Sequence, residues 1–290
     1  MALVLPMQSV VITGASTGIG AACALHLDAL GFRVFAGVRR HEDGAPLRVR
    51  GSQRLLPVLL DVTDAVSIAQ AAAQVHEAVG GEGIAGLVNN AGIVVAGPLE
   101  VLPIAELRKQ FGVNVIGALA VTQAFLPLLR VRRGRIVNMG SIAGRVTVPF
   151  LGPYSMSKFA LEAMTTALRL ELDGWGIEVS IVEPGAIATP IWEKSIKAAD
   201  LLQASTTHDA LPLYAEHFAC VRRAIDEAAR RAISVDAVAR AVEHALTARR
   251  PRTHYLVGSD AKFRALLALL LPHRMQDVLL RWFLKFPRRR

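Results

Sequence analysis

Cysteine is nearly absent from these 290 residues: Cys23 and Cys220 stand far apart, with no CxxC or metal-ligand spacing around either. That excludes a disulfide framework and reads as two reduced thiols in a cytosolic protein. No His/Asp/Glu cluster offers a metal site. No apolar run approaches the roughly 18 residues expected of a bilayer-spanning helix. Residues 1–7 are apolar but carry neither a basic flank nor a cleavage site, so a secretory leader is not expected. Charged residues make up only 20 % of the chain against 52 % hydrophobic, which argues against disorder and for a sizeable core.

The charge that is present is unevenly placed. Residues 249–290 hold eleven Lys/Arg against Asp260 and Asp277, and the residues before them hold 22 bases and 22 acids. The net charge of +9 therefore belongs to the tail, and the body is neutral.

Short β-branched runs alternate with helical stretches. Strands are predicted over 9–13, 33–38, 55–60, 86–89, 135–138 and 178–182, with a seventh over 253–257. Helices are predicted over about 18–30, 65–79, 104–129 and 154–172. Apolar strands with interleaved helices imply a doubly wound α/β fold, a parallel sheet of about seven strands covered on both faces. Neither repeat nor linker divides the chain. A single domain over 1–258 is expected, with a substrate lid over about 189–232 and a basic extension over 259–290. Ligands in such sheets sit beyond the carboxyl ends of the strands, and each notable pattern here follows a strand.

The first is Thr13-Gly14-Ala15-Ser16-Thr17-Gly18-Ile19-Gly20, glycines spaced GxxxGxG between a strand and a helix. Gly14 suits a tight turn, Gly18 a close backbone approach to a pyrophosphate, and Gly20 tight helix–sheet packing, while the helix N-terminus attracts the anion. An acid closing the second strand would hold ribose hydroxyls and repel a 2′-phosphate. Val38 stands there instead, followed by Arg39 and Arg40. Arginine grips phosphate through two parallel N–H bonds, so NADP(H) is expected over NAD(H), with a plain solvated turn as the alternative for the arginine pair.

Tyr154 and Lys158 sit one helical turn apart, on the same helix face. A nearby ammonium favours phenolate, so Lys158 is expected to lower the proton affinity of Tyr154 towards that of a useful acid–base. Ser141 lies upstream, at the end of the fifth strand.

Taken with Asp61, Asn89-Asn90-Ala91-Gly92, Asn114 and Pro184-Gly185, these segments resemble the short-chain dehydrogenase/reductase family over roughly residues 8 to 190. Residues 34–39 and 175–185 look most like its branch acting on retinoids and hydroxysteroids. The resemblance implies a Rossmann fold and hydride transfer between an alcohol carbon and a nicotinamide cofactor. It implies that Tyr154 exchanges the proton at the substrate oxygen, that Ser141 positions that oxygen, and that Lys158 assists Tyr154 and binds the nicotinamide ribose. Asn114 would hold a water extending the proton relay. Gly14, Ser16, Thr17, Gly18 and Ile19 would line the cofactor, with Asp61 and Val62 at the adenine and Asn90 on the adenosine side. Thr17 and Arg39 would meet the 2′-phosphate, and Pro184, Gly185, Ile187 and Thr189 would frame the nicotinamide. Assembly as a homodimer or homotetramer through the two long helices is also implied. Gly140 departs from the family's usual serine and is expected to leave room for a bulky substrate; Met156 departs from a usual small residue.

Ile191-Trp192, Leu201-Leu202 and Phe150-Leu151 are apolar and suit a lipid-like alcohol or ketone, unless they are ordinary core. The tail reads as two amphipathic helices broken at Pro272. Met275, Val278, Leu279, Trp282, Phe283 and Phe286 repeat at helical spacing with basic residues elsewhere, and Arg288-Arg289-Arg290 closes the chain. Such a helix either lies on a membrane surface or docks on the body or a partner subunit. Nucleic acid is not an expected partner. The chain is read as a cytoplasmic enzyme. The competing readings are a non-catalytic nucleotide sensor and a peripheral membrane protein dominated by its tail.

Overall fold

The computed structural model describes residues 7–192, 196–197, 200 and 208–287. Seven strands form: β1 Ser9–Ile12, β2 Arg33–Val38, β3 Leu55–Leu59, β4 Gly86–Asn89, β5 Arg135–Met139, β6 Glu178–Pro184 and β7 His254–Val257. They make one sheet in the order β3-β2-β1-β4-β5-β6-β7, and every pairing is parallel. Parallel strands buried on both faces need apolar residues without alternation; β1 and β4 are buried at every position. The order reverses between β1 and β4, so the crevice for a ligand opens at the carboxyl ends there.

The pleat sends alternate residues to two separate cores. Val10, Ile12 and Val137 face α1 (Gly18–Ala29) and α8 (Asp236–Thr247), where Leu27 and Val242 meet them. Val11, Leu87 and Ile136 face α3 (Ala65–Val79), α5 (Ala118–Arg132) and α6 (Gly152–Leu172), through Val75, Phe125 and Leu168. Short α2 spans Ala45–Arg50. A buried polar chain crosses the middle: Asn89 Nδ2 donates to Thr122 Oγ1 and Asn138 Oδ1, each at 2.9 Å, and Asn138 Nδ2 donates to Thr165 Oγ1 at 2.8 Å. A one-residue slip of β4 on β5 would strand these amides without partners, so the network specifies register.

The helix predicted over 104–129 forms, running from Ile104 to Arg132 with one irregular turn inside it. α4 (Ile104–Phe111) and α5 are joined by a π-helical turn, Gly112–Gly117, with Asn114 inside it. By length and composition the whole stretch Ile104–Arg132 could cross a bilayer, against the expectation that no such run exists. Core packing accounts for that apolarity, since Val121, Phe125 and Leu129 are fully buried.

After α7 (Ala215–Arg230), α8 and β7, the tail forms α9 (Ser259–Leu270) and α10 (His273–Leu284), which meet at Pro272. Leu284 is buried, Phe286 packs edge-on to His217 at 4.9 Å, and the Cys220 thiol reaches the Lys285 carbonyl, so one side of the tail docks on α7. Most of the predicted apolar stripe faces outward: Met275, Val278, Trp282 and Phe283 are 55–76 % exposed. Leu201, Leu202 and Arg288-Arg289-Arg290 lie outside the described residues.

Candidate active site

The loops at the carboxyl ends of the strands enclose one cavity of about 710 Å³. Ser141, Tyr154 and Lys158 line it, as do Gly14, Ser16, Thr17, Gly18, Ile19, Arg39, Asp61, Val62, Asn90, Pro184, Gly185, Ile187 and Thr189. Asn114 is not among its lining residues.

At the β1 end, Thr13 Oγ1 accepts from the backbone N–H groups of Asn90 and Ala91, both at 2.9 Å. Asn90 Nδ2 returns bonds to the carbonyls of Thr13 (2.9 Å) and Gly14 (3.0 Å). The amide of Asn90 therefore braces the glycine loop. A side-chain carbon at Gly20 would collide with that Nδ2 and with the Gly14 carbonyl, so only glycine lets α1 approach. Thr17 at the head of α1 gives no side-chain cap, which leaves the first N–H groups of the helix free for an anion. Arg40 is held by Glu42 and Asp43, whereas Arg39 is exposed at the cavity and makes no ion pair among the described residues. Asp61 Oδ1 accepts from the Thr63 N–H and hydroxyl at 2.9 and 2.7 Å, which fixes that carboxylate at the same end. Space, free N–H donors and a free guanidinium together fit a phosphorylated dinucleotide.

At the other end, Ser141 Oγ accepts from Ala143 N at 3.1 Å, and its hydroxyl favours the ionised form of Tyr154. Lys158 is buried, its Nζ 5.6 Å from the Tyr154 ring centroid and 2.6 Å from the Met139 carbonyl, to which it donates. Burial pushes Lys158 down to about 8, opposed by the negative charge of Glu162. Tyr154 is raised, because burial outweighs the opposing influence of the Ser141 hydroxyl. Burial therefore governs both members of the pair, and the ammonium donates to the Met139 carbonyl.

Asn114 is buried with its side chain committed. Oδ1 accepts from Ile93 N at 2.9 Å, and Nδ2 donates to the Ile93 carbonyl and to Ser157 Oγ, both at 3.1 Å. It clamps the loop after β4 to α6, so no side-chain N–H remains for the water assigned to it from sequence. Gly140 does not enlarge the pocket either. A carbon there would point at Ile181, 2.8 Å away, and not into the cavity. Met156 lies on the exposed side of α6.

Sequence reasoning missed an acidic cluster behind Lys158. Glu183, fully buried on β6, takes two bonds from the Arg145 guanidinium, one of them at 2.8 Å. Glu162, one turn past Lys158, faces the same carboxylate. Its Oε2 lies 3.4 Å from His254 Nε2, while Oε1 is buried without a hydrogen-bond partner among the described residues. Burial, then Glu183, pushes Glu162 up to about 8. A protonated carboxyl has the donor that this geometry lacks. The i+4 spacing of Lys158 and Glu162 was the available signal. Phe218 and Val221 from α7, within the span expected for the lid, line the cavity without having been singled out; Asp260 and Arg264 from α9, which also line it, were missed.

Comparison with known proteins is consistent with this geometry. Residues 8–200 match the model of the short chain dehydrogenase family. Retinol dehydrogenase 5 of Mus musculus is 40 % identical over 287 residues, covering 95 % of this chain and 88 % of that protein. The NADPH-dependent 3-dehydrocapnine reductase of Ornithobacterium rhinotracheale is 36 % identical over 276 residues, covering 93 % and 95 %. A short chain dehydrogenase from Burkholderia cenocepacia, solved in complex with NADP, superposes with a TM-score of 0.73 at 27 % identity, covering 94 % and 97 %. The chain belongs to the short-chain dehydrogenase/reductase family and is an oxidoreductase of the branch that includes the retinol and hydroxysteroid dehydrogenases.

Proposed function

We propose that this chain interconverts an alcohol and a ketone or aldehyde on a hydrophobic substrate, using NADP(H) in preference to NAD(H). The observation that carries the reading is the meeting of Ser141, Tyr154 and Lys158 in the same cavity as an unbraced Arg39 and the free N-terminus of α1. When bound, the nicotinamide supplies or accepts the hydride. Gly14, Ser16, Gly18 and Ile19 would border the pyrophosphate, Thr17 and Arg39 the 2′-phosphate, and Asp61, Val62 and Asn90 the adenosine. Pro184, Gly185, Ile187 and Thr189 would hold the nicotinamide end.

The proton is the protein's share of the work. Ser141 orients the substrate oxygen, and Tyr154 gives that oxygen its proton in reduction or takes it in oxidation. The raised proton affinity of Tyr154 keeps it a phenol at neutral pH, which suits the donor role in reduction. Lys158 holds the ammonium charge that eases loss of the phenol proton. Because the Asn114 side chain is occupied, a relay to solvent at this residue would run through its backbone carbonyl in the π turn; such turns free backbone groups and recur at functional sites. The NADPH named for the Ornithobacterium reductase and the NADP in the Burkholderia structure support the cofactor choice. Phe150, stacked on Phe218 at 4.6 Å, supports the apolar substrate. A panel of ketones and aldehydes, from short sugars to steroid and retinoid compounds, read by NADPH absorbance, tests the reading. Turnover restricted to small polar substrates would overturn the hydrophobic half.

The outward apolar stripe supports a second element of the same function, contact with a membrane surface on the cytoplasmic side. Phe263, Leu266 and Leu269 on α9 join Met275, Val278, Trp282 and Phe283 on α10, all exposed, on a tail that carries the chain's whole excess of positive charge. The full chain should float with anionic vesicles and a Trp282→Glu/Phe283→Glu double variant should not. Equal flotation of both would remove the membrane. Exposed Ile116 on the π turn and Leu170 on α6 support assembly of copies through the long helices.

A further inference from the structure

The cavity that Ser141 lines is also lined by Phe150, Phe218 and Val221 and, from α9, by Asp260 and Arg264. α9 also packs against the Ile142–Gly144 turn that follows Ser141, so its inward residues border the substrate half. Among the described residues, three cations reach this half. Lys158 donates to Met139 at 2.6 Å, and Arg222 is tied to Asp200 by two bonds of 3.0 and 3.1 Å. Arg264 is the third. It is half-buried, and among the described residues it makes no hydrogen bond and no ion pair within 4.0 Å.

The acids nearby are otherwise engaged. Asp200 belongs to Arg222. Asp260, one turn before Arg264, accepts from the Ala186 N–H at 2.9 Å and braces the Gly185 turn. Its charge acts on Arg264 only through space, and burial outweighs it, so the guanidinium binds its proton less tightly than in water. A guanidinium left in a mostly apolar cavity without a partner is costly, and an oxyanion presenting two oxygens relieves that cost through parallel N–H bonds. The 2′-phosphate expected at Arg39 does not fill this role. Arg39 follows β2 and Arg264 follows β7, five strand spacings apart, or ~24 Å at about 4.8 Å each.

We propose that Arg264 anchors an anionic group, a carboxylate or sulfonate, on an otherwise apolar substrate, so that this enzyme prefers anionic long-chain carbonyl compounds to neutral ones. The proposal rests on the reading of the cavity as a hydrophobic alcohol/ketone site. An amphiphile held in this way lays its chain along Phe150, Phe218 and Val221 and reaches Ser141 and Tyr154 with its carbonyl.

The test is binding of decanoate, decane-1-sulfonate and 1-decanol to the full chain loaded with NADPH, by calorimetry at pH 8. The two anions should bind at least about tenfold more tightly than the alcohol, the strength expected of a charge-assisted pair. Arg264→Met, which keeps the apolar stem, should bring the three within about twofold, Arg264→Lys should restore part of the preference, and NADPH affinity should stay the same in both. Equal binding by the wild type, a preference that survives in Arg264→Met, or a loss of NADPH affinity in its place would overturn the proposal. Turnover of neutral long-chain ketones is read separately. Its absence beside an intact anion preference sinks the proposed reaction and leaves the anchor, and its presence without that preference sinks the anchor alone.

Discussion

Replacing Glu162 by glutamine isolates the cluster behind Lys158 and has a calculable consequence. Folding raises Glu162 from an ordinary 4.5 to about 8, chiefly through burial and then through Glu183. Between those two values the folded chain holds a proton that the unfolded chain has released, so stability falls as pH rises through the window. At ~1.4 kcal/mol per tenfold change in proton affinity the limit is about 5 kcal/mol. Solvent reaching part of the carboxyl screens that to about 2 kcal/mol. Glutamine keeps the shape, cannot ionise and can donate to Glu183, so Glu162→Gln escapes the loss. Thermal unfolding of wild type and variant, measured in parallel from pH 5 to pH 9, should give similar midpoints at the acid end. At pH 9 the variant should unfold about 4 °C higher than wild type. A difference that stays constant across the range would show that Glu162 ionises normally and that the carboxyl–carboxylate contact is misread.

Other outcomes follow from the cofactor end and from Lys158. Arg39→Ala should raise the NADPH KM about ten- to hundredfold and leave the NADH KM within about threefold; equal losses for both would mean that Arg39 is only a solvated turn residue. Asn90→Ala removes two bonds to the glycine loop, so it should lower stability by about 1–3 kcal/mol in denaturant titration and weaken NADPH binding as well. Loss of stability with unchanged NADPH affinity would separate the loop from the cofactor. Lys158 is lowered to about 8, so the step that needs its ammonium should fade above that pH. In Glu162→Gln the alkaline limb of kcat should move to lower pH, because the opposing charge is gone; an unmoved limb would detach Glu162 from Lys158.

The strands were legible because a parallel sheet buried on both faces needs short, largely apolar runs without strict alternation, and 34–38 and 179–182 come close to that. The cavity residues were legible because they follow those strands at fixed short distances. What escaped depends on distance through space. Gly112-Val113-Asn114-Val115-Ile116-Gly117 has no helix breaker other than glycine, so its π turn had no local sign, and the clamp of Asn114 on Ile93 and Ser157 is set by tertiary packing. The spacing of Tyr154 and Lys158 correctly joined them, yet it could not show that burial governs both groups. Arg264 follows β7, more than a hundred residues past Tyr154, and no spacing links them. The tail's apolar stripe was visible in its period. The direction it faces was not, because a helix wheel does not say which side meets the body.

The central claim is that the Tyr154 hydroxyl is the proton donor to the substrate oxygen. Tyr154→Phe removes one oxygen from a wall that is otherwise built by Ser141, Lys158 and the loops. The direct measurement is ketone reduction by this variant beside its NADPH dissociation constant. The account predicts a fall in kcat of at least about a hundredfold with NADPH binding within about threefold of wild type. A variant that still turns over at the wild-type rate would contradict it.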